Sequence, residues 1–214
     1  MKVSEAEAIT GGLSKPSKMP GFSYNLPAVR CLTGAKLVQI PGSTCAGCYA
    51  LKGRYRFKNV KDAMQRRLDS LVHPQWTAAM TVQINSKLKH GHSWFRWHDS
   101  GDLQSVQHLK NIFEVCKATS GVKHWLPTRE AQFLKLMDPD IVPPNLTIRF
   151  SSHMIGQRPV SFWPNTSTVG EDGANRTSHV QNSRLCPASK QGNQCRDCRA
   201  CWDLNVPNVE YVKH

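Results

Sequence analysis

Acidic residues are scarce in this chain. Only 15 Asp and Glu stand against 28 Lys and Arg in 214 residues, a formal net charge of +13. Long apolar runs are missing. No stretch approaches the roughly 20 apolar residues that a membrane-spanning helix needs, and residues 1–20 lack the apolar core of a secretory signal. No internal repeat and no collagen-like pattern occurs. These absences exclude a membrane span and a fibrous repeat, and they set the expectation of a soluble, cytoplasmic protein. What is present is a globular composition, 39% hydrophobic with six Trp, which argues against disorder. At this length one domain over residues 1–214 is expected. The chain also carries eight Cys.

The cysteines are grouped. Cys45 and Cys48 form a C-x2-C, with Cys31 before them. Cys195, Cys198 and Cys201 form a C-x2-C-x2-C, with Cys186 before them. A disulfide framework suits short secreted chains, which this is not. Closely spaced thiolates in a reducing compartment hold metal. Zinc accepts two C-x2-C pairs in a tetrahedron. A C-x2-C-x2-C run reaches different irons of a cubane and matches part of the bacterial ferredoxin spacing. The metal ligands expected are therefore Cys31, Cys45, Cys48, Cys186, Cys195, Cys198 and Cys201, with a [4Fe-4S] cluster favoured and zinc as the alternative. Cys116 falls on one apolar helical face with Val106, Leu109, Ile112 and Phe113, and is expected in the core.

Residues 1–30, rich in Gly, Ser, Pro and Lys, read as an irregular lead-in. Residues 36–40 read as a short strand before the first C-x2-C. Residues 52–67 are strongly basic, and their second half is helical, with Val60, Met64, Leu68 and Leu71 on one face and Asn59 as the cap. A second helix from Pro74 would bury Trp76, Met80, Ile84 and Leu88. Then an alternation begins: strand 93–98, turn 99–102, helix 105–119, strand 122–127, short helix 129–137, strand 146–151. Such spacing implies right-handed βαβ units, so the fold class expected is α/β, as an open parallel sheet or a partial (β/α) TIM-like barrel. Residues 156–183 read as loop, 184–214 as a Cys-rich metal-binding segment, and 208–213 as a closing strand. In parallel α/β folds chemistry sits at the C-terminal strand ends. Those ends carry Cys45 and Cys48, residues 99–102, Thr128-Arg129-Glu130 and Ser151-Ser152-His153.

Two pieces carry a resemblance. One is Cys45-Ala46-Gly47-Cys48-Tyr49-Ala50 followed by Lys52-Gly53-Arg54-Tyr55. The other is the strand end Phe95-Arg96-Trp97-His98-Asp99-Ser100-Gly101-Asp102. Together with Cys186-Pro187-Ala188 and the C-terminal C-x2-C-x2-C-Trp, the pattern resembles the phage "gene product 88" family. It is distantly similar to radical S-adenosylmethionine (SAM) iron–sulfur barrels. The phage resemblance implies the host cytoplasm as the setting. The radical SAM resemblance implies a [4Fe-4S] cluster with an open iron and SAM as a candidate cofactor. Tyr49, Ser100, Gly101 and Asp102 are then the cofactor-binding candidates, with Ser-Gly-Asp in place of the Gly-Gly-Glu that holds the methionyl amine. Asp99, Asp102, His98 and Arg129 are the catalytic candidates: a carboxylate for an ammonium group, a proton carrier, and a guanidinium for a carboxylate or phosphate. Helix capping by Asp99 and Asp102, a structural His98 and a surface ion pair at Arg129 are the plainer alternatives.

Three thiolates leave a fourth iron open, while four close a cluster, so the chain holds two clusters or one shared between its ends. Cubanes held by thiolates carry about −1 to −2 charge each, so Arg184, Lys190, Arg196 and Arg199 beside the last four Cys balance part of it. The basic segment, interleaved with Tyr55 and Phe57, offers a second function class, a zinc-stabilised nucleic-acid-binding protein. A non-enzymatic electron carrier or redox sensor is a third. A redox partner or substrate is implied without being named, and no membrane is.

Overall fold

The structure is a computed structural model that describes residues 1–171 and 181–213. The alternation after residue 93 is realised in full. In chain order the elements are α1 (Val3–Thr10), β1 (Phe22–Tyr24), α2 (Leu32–Leu37), α3 (Lys58–Ser70), α4 (Trp76–Lys89), β2 (Trp94–Trp97), α5 (Val106–Ala118), β3 (Lys123–Thr128), α6 (Ala131–Leu134), β4 (Leu146–Ser151), β5 (Thr166–Gly170), β6 (Arg184–Leu185) and β7 (Asn208–Val212). Short 3-10 turns lie between several of them. All strand pairs are parallel, and the open seven-stranded sheet has the order β1-β2-β3-β4-β5-β7-β6. The first five strands neighbour each other in sequence order. Right-handed crossovers between such strands carry their helices to one face.

Side chains alternate across that sheet, and the two faces are dressed differently. Phe95, Trp97, Leu126, Leu146, Ile148 and Phe150 meet Trp76, Met80 and Ile84 of α4 and Leu109, Ile112, Phe113 and Cys116 of α5. Cys116 is thus core, as its helical spacing predicts. On the other face Trp125 and Val209, with Trp94 and Tyr211 beside them, pack against Ala200, Cys201 and Trp202. The C-terminal thiol segment itself covers this face. Fully buried Arg149 fastens it there: its guanidinium donates to five carbonyls, those of Ala200, Cys201, Asp203, Val206 and Thr166. Trp202 Nε1 donates to the Phe95 carbonyl at 2.8 Å.

Several expectations are corrected. The lead-in is ordered: α1 packs on α4, and β1 is an edge strand of the sheet. Tyr24 is fully buried, and its hydroxyl donates to the Thr10 carbonyl at 2.7 Å. Residues 36–40 are no strand. Their first part closes α2, which buries Gly34 and Leu37 on one face; five residues with three apolar ones do not distinguish helix from strand by period alone. Helix α3 starts two residues earlier than expected, with Phe57 at the cap position, while Asn59 bonds only the Val60 amide. Within 156–183, residues 166–170 form β5, and 172–180 lie outside the described residues. β7 is not at an edge but between β5 and β6. The cap of α5 is Ser105, whose Oγ accepts the His108 amide at 3.0 Å, so neither Asp99 nor Asp102 caps that helix. No helix among the described residues is long and apolar enough to cross a membrane.

Candidate functional site

The C-terminal ends of β1, β2 and β3 are tied to one another by the turn after β2. Leu26 N–H donates to the Ser100 carbonyl at 2.9 Å, and Ser100 Oγ donates to the Leu26 carbonyl at 2.8 Å. Gly101 has φ +78°, and a Cβ there would fall 2.5 Å from Leu26 Cβ, so only glycine makes this turn. Asp102 welds β2 to β3. Its Oδ1 accepts from Thr128 Oγ1 at 2.6 Å and from Leu103 N–H at 2.8 Å, and its Oδ2 accepts from Arg129 N–H at 2.9 Å. Burial pushes its carboxyl up to about 6 against those bonds, which favour the charged form. Asp99 reaches the other way. Its Oδ1 accepts from Ser23 Oγ at 2.5 Å, its Oδ2 from Tyr55 Oη at 3.1 Å, and its carbonyl accepts from the Tyr49 hydroxyl.

His98 sits between these groups in a left-handed conformation, φ 54°, that costs a non-glycine residue on the order of 1 kcal/mol or more. Its ring is buried, neither ring nitrogen has a hydrogen-bond partner, and it packs 5.3 Å from His108 of α5. Burial, then the neighbouring His108 and Arg96, hold it well below the usual imidazole range. A permanently neutral, unbonded imidazole packed on α5 fits a core residue better than a proton carrier.

Three thiols gather over this platform. Cys31 is the extended residue capping α2, and α2 is clamped by the fully buried Glu130, whose oxygens accept from Thr33 N–H at 2.9 Å and Thr33 Oγ1 at 2.7 Å. The Cys45–Cys48 turn, closed by Cys48 N–H to the Cys45 carbonyl at 3.0 Å, docks on the end of β4. Thr44 N–H donates to the His153 carbonyl at 2.9 Å, and Thr44 Oγ1 donates to the Ser152 carbonyl at 3.0 Å. Arg129 Nε donates to Thr44 Oγ1 at 3.0 Å. A Cβ on Gly34 would stand 2.9 Å from Cys31 Cβ, 3.6 Å from Cys31 Sγ and 3.7 Å from Cys45 Sγ, so the glycine leaves a cradle between two sulfurs. Burial raises the Cys31 thiol, and Asp102, Cys48, Cys45 and Glu130 add to it. Burial also raises Cys45, with the Arg129 guanidinium opposing.

The other four thiols form a separate group on the sheet face described above. Cys186 N–H donates to the Glu210 carbonyl at 2.8 Å, Cys195 N–H to the Lys18 carbonyl at 2.8 Å, and Cys198 N–H to the Cys195 carbonyl at 2.9 Å. Cys201 Sγ lies 3.1 Å from Tyr211 Oη, and burial pushes its thiol up to about 12, opposed by Tyr211 and Arg149. Cys195 is raised by burial and then by Cys186, with Arg96 opposing. Arg96 stands between the two groups. It lies 4.4 Å over the Trp125 ring, its Nε has no partner, and its charge acts on Tyr49 and Asp99 on one side and Tyr211 and Cys201 on the other.

All seven grouped cysteines are free thiols. Among the described residues no group of three or more His, Cys, Asp or Glu side chains is placed to hold a metal ion. Ser100, Gly101 and Asp102 form a turn and a weld between strands. The positioning roles of Glu130, Thr33, Gly34, Thr44 and Arg149 went unread in the sequence. The only signal for them was that residues 128–130 and 151–153 end parallel strands.

Residues 2–204 match the family model described as Gene product 88. No curated protein matches the chain, and no solved structure does.

Proposed function

The chain belongs to the phage gene product 88 family, and we propose that it is an iron–sulfur redox protein with two cluster sites. Cys31, Cys45 and Cys48 would hold a [4Fe-4S] cluster with one iron left open. Cys186, Cys195, Cys198 and Cys201 would hold a second, closed one. The observation that carries the reading is how the thiols sort. Cys31 and Cys45 flank the Gly34 cradle and Cys48 closes the same turn, whereas Cys186, Cys198 and Cys201 pack together on the other sheet face. Thiolates grouped in this way are the ligands that iron and zinc take. The Gly34 cradle fits the first site, since a larger residue would push between Cys31 and Cys45. A cluster supplies reversible one-electron chemistry, and an open iron supplies a place for a ligand.

The reading makes no claim for SAM. Ser100 Oγ is spent on the Leu26 carbonyl, and both Asp102 oxygens accept bonds from within the fold. Arg129 is the better-placed ligand contact: only its Nε is engaged among the described residues, and its charge already acts on Cys45. Anaerobically purified protein is expected to be brown, with about eight irons and matching acid-labile sulfide per chain. Cys48→Ser and Cys198→Ser should each lose about half of that iron. Colourless protein carrying stoichiometric zinc would overturn the reading.

A further inference from the structure

Between Glu7 and Asp62 the chain contains no Asp or Glu, while Lys and Arg recur throughout. The fold brings part of this acid-free stretch to the mouth of the three-thiol site. Directly after Cys48 come two 3-10 turns, Tyr49–Leu51 and Gly53–Arg56, packed on each other. Two tyrosines pin them. The Tyr49 and Tyr55 hydroxyls both donate to Asp99, and their rings meet edge to face at 5.8 Å. With the hydroxyls turned inward, Tyr49 as a residue remains 56% exposed, and Phe57 just beyond is 59% exposed. Lys52, Arg54 and Arg56 between them are exposed, and none takes part in the three ion pairs found among the described residues.

We propose that this rim binds a single strand of nucleic acid, which makes such a strand the substrate class of the three-thiol site. The second half of that statement rests on the cluster reading, whereas the binding surface does not. Alternating cations and open aromatic rings suit one polymer in particular. Phosphates pair with the Lys and Arg, and bases stack on the rings whatever their identity. An acidic protein would satisfy the cations but leave Tyr49 and Phe57 without flat partners. The rim itself is built of two short 3-10 turns rather than of a helix laid out to enter a duplex groove. The two pinned tyrosines hold the platform in place before anything binds, which lowers the ordering cost of association.

The test is fluorescence anisotropy of labelled oligo-dT and oligo-U against the whole chain, across a salt series, with iron determined on the same preparations. Binding should weaken with salt at a log–log slope of about −0.7 per phosphate contact. The Lys52→Ala/Arg54→Ala/Arg56→Ala variant should bind at least about tenfold more weakly and flatten the slope by about two. Phe57→Ala should weaken binding about tenfold, the loss of one base stack, with the slope kept. Lys89→Ala/Lys110→Ala, on exposed helix positions, should change neither. No binding at low salt, an unaltered triple variant, or equal competition by polyglutamate would overturn the proposal. Iron without binding removes this inference and leaves the cluster reading standing; binding without iron does the reverse.

Discussion

Gly34 occupies a place where even a methyl group must displace something. On an ordinary helix, replacing Gly by Ala stabilises by about 1 kcal/mol. Here the new Cβ would meet Cys31 Cβ at 2.9 Å, and overpacking of that kind costs about 1–3 kcal/mol. The steric term wins, and it falls on the sulfur positions. Gly34→Ala is therefore expected to keep the far-ultraviolet circular dichroism of the parent while losing about four of about eight irons. Full iron in that variant would count against the first cluster site. Arg149 shows how far a single residue's job can lie from its sequence neighbourhood. In the strand pattern of residues 146–151 it is simply a polar residue, yet its five bonds reach carbonyls of Thr166, Ala200, Cys201, Asp203 and Val206. The structural bonds of Asp102 are equally distant from its neighbourhood. Its partners Thr128 and Arg129 lie beyond an intervening helix, and only the folded sheet brings them within reach.

At the level of elements, legibility followed the strength of the local signal. β2, α5, β3 and β4 can be read because apolar alternation and an apolar helical stripe agree with one another. β1 could not, since three residues carry no period; it exists because His98 N–H and its β2 neighbours bond to it. β5 is hidden by its composition. Thr166 and Thr168 are buried polar groups, satisfied by Asn208 of β7 rather than by apolar packing. Helix α2 is too short to stand on its own propensity, and Glu130 holds its first turn. Glu130→Gln replaces one accepting oxygen with a donor facing Thr33. It should cost about 1–3 kcal/mol, the range for a buried charge-assisted bond, and amide hydrogen exchange of residues 32–37 should quicken relative to α5. Unchanged protection there would show that α2 is held by something else.

For the whole molecule, acid is the sharpest probe of how the core is built. His98, His108 and His124 are buried and depressed, the last two to about 3 against 6.5 in the unfolded chain. As pH falls below 6.5 the unfolded chain takes up three protons that the fold refuses. Asp102 acts in the opposite sense: it keeps a proton up to about 6 that the unfolded chain releases near 3.8. Around pH 5 the difference is about two protons, so stability should fall by about 3 kcal/mol per unit of acidification. Denaturant titrations at a series of pH values measure this directly, and a flat profile between about pH 6.5 and 5 would contradict the burial of neutral imidazoles. The strand order carries one more consequence, for the timing of assembly during synthesis. Cys31, Cys45 and Cys48 leave the ribosome long before Glu130 and His153, which dock them. Cys186 to Cys201 emerge before β7, the strand that β6 pairs with. Both thiol groups thus spend part of translation without their sheltering strands, and under the proposed function metal loading at each would follow the arrival of sequence made later. A released chain truncated before residue 208 should leave Cys186, Cys195, Cys198 and Cys201 more open to alkylation than Cys31, Cys45 and Cys48.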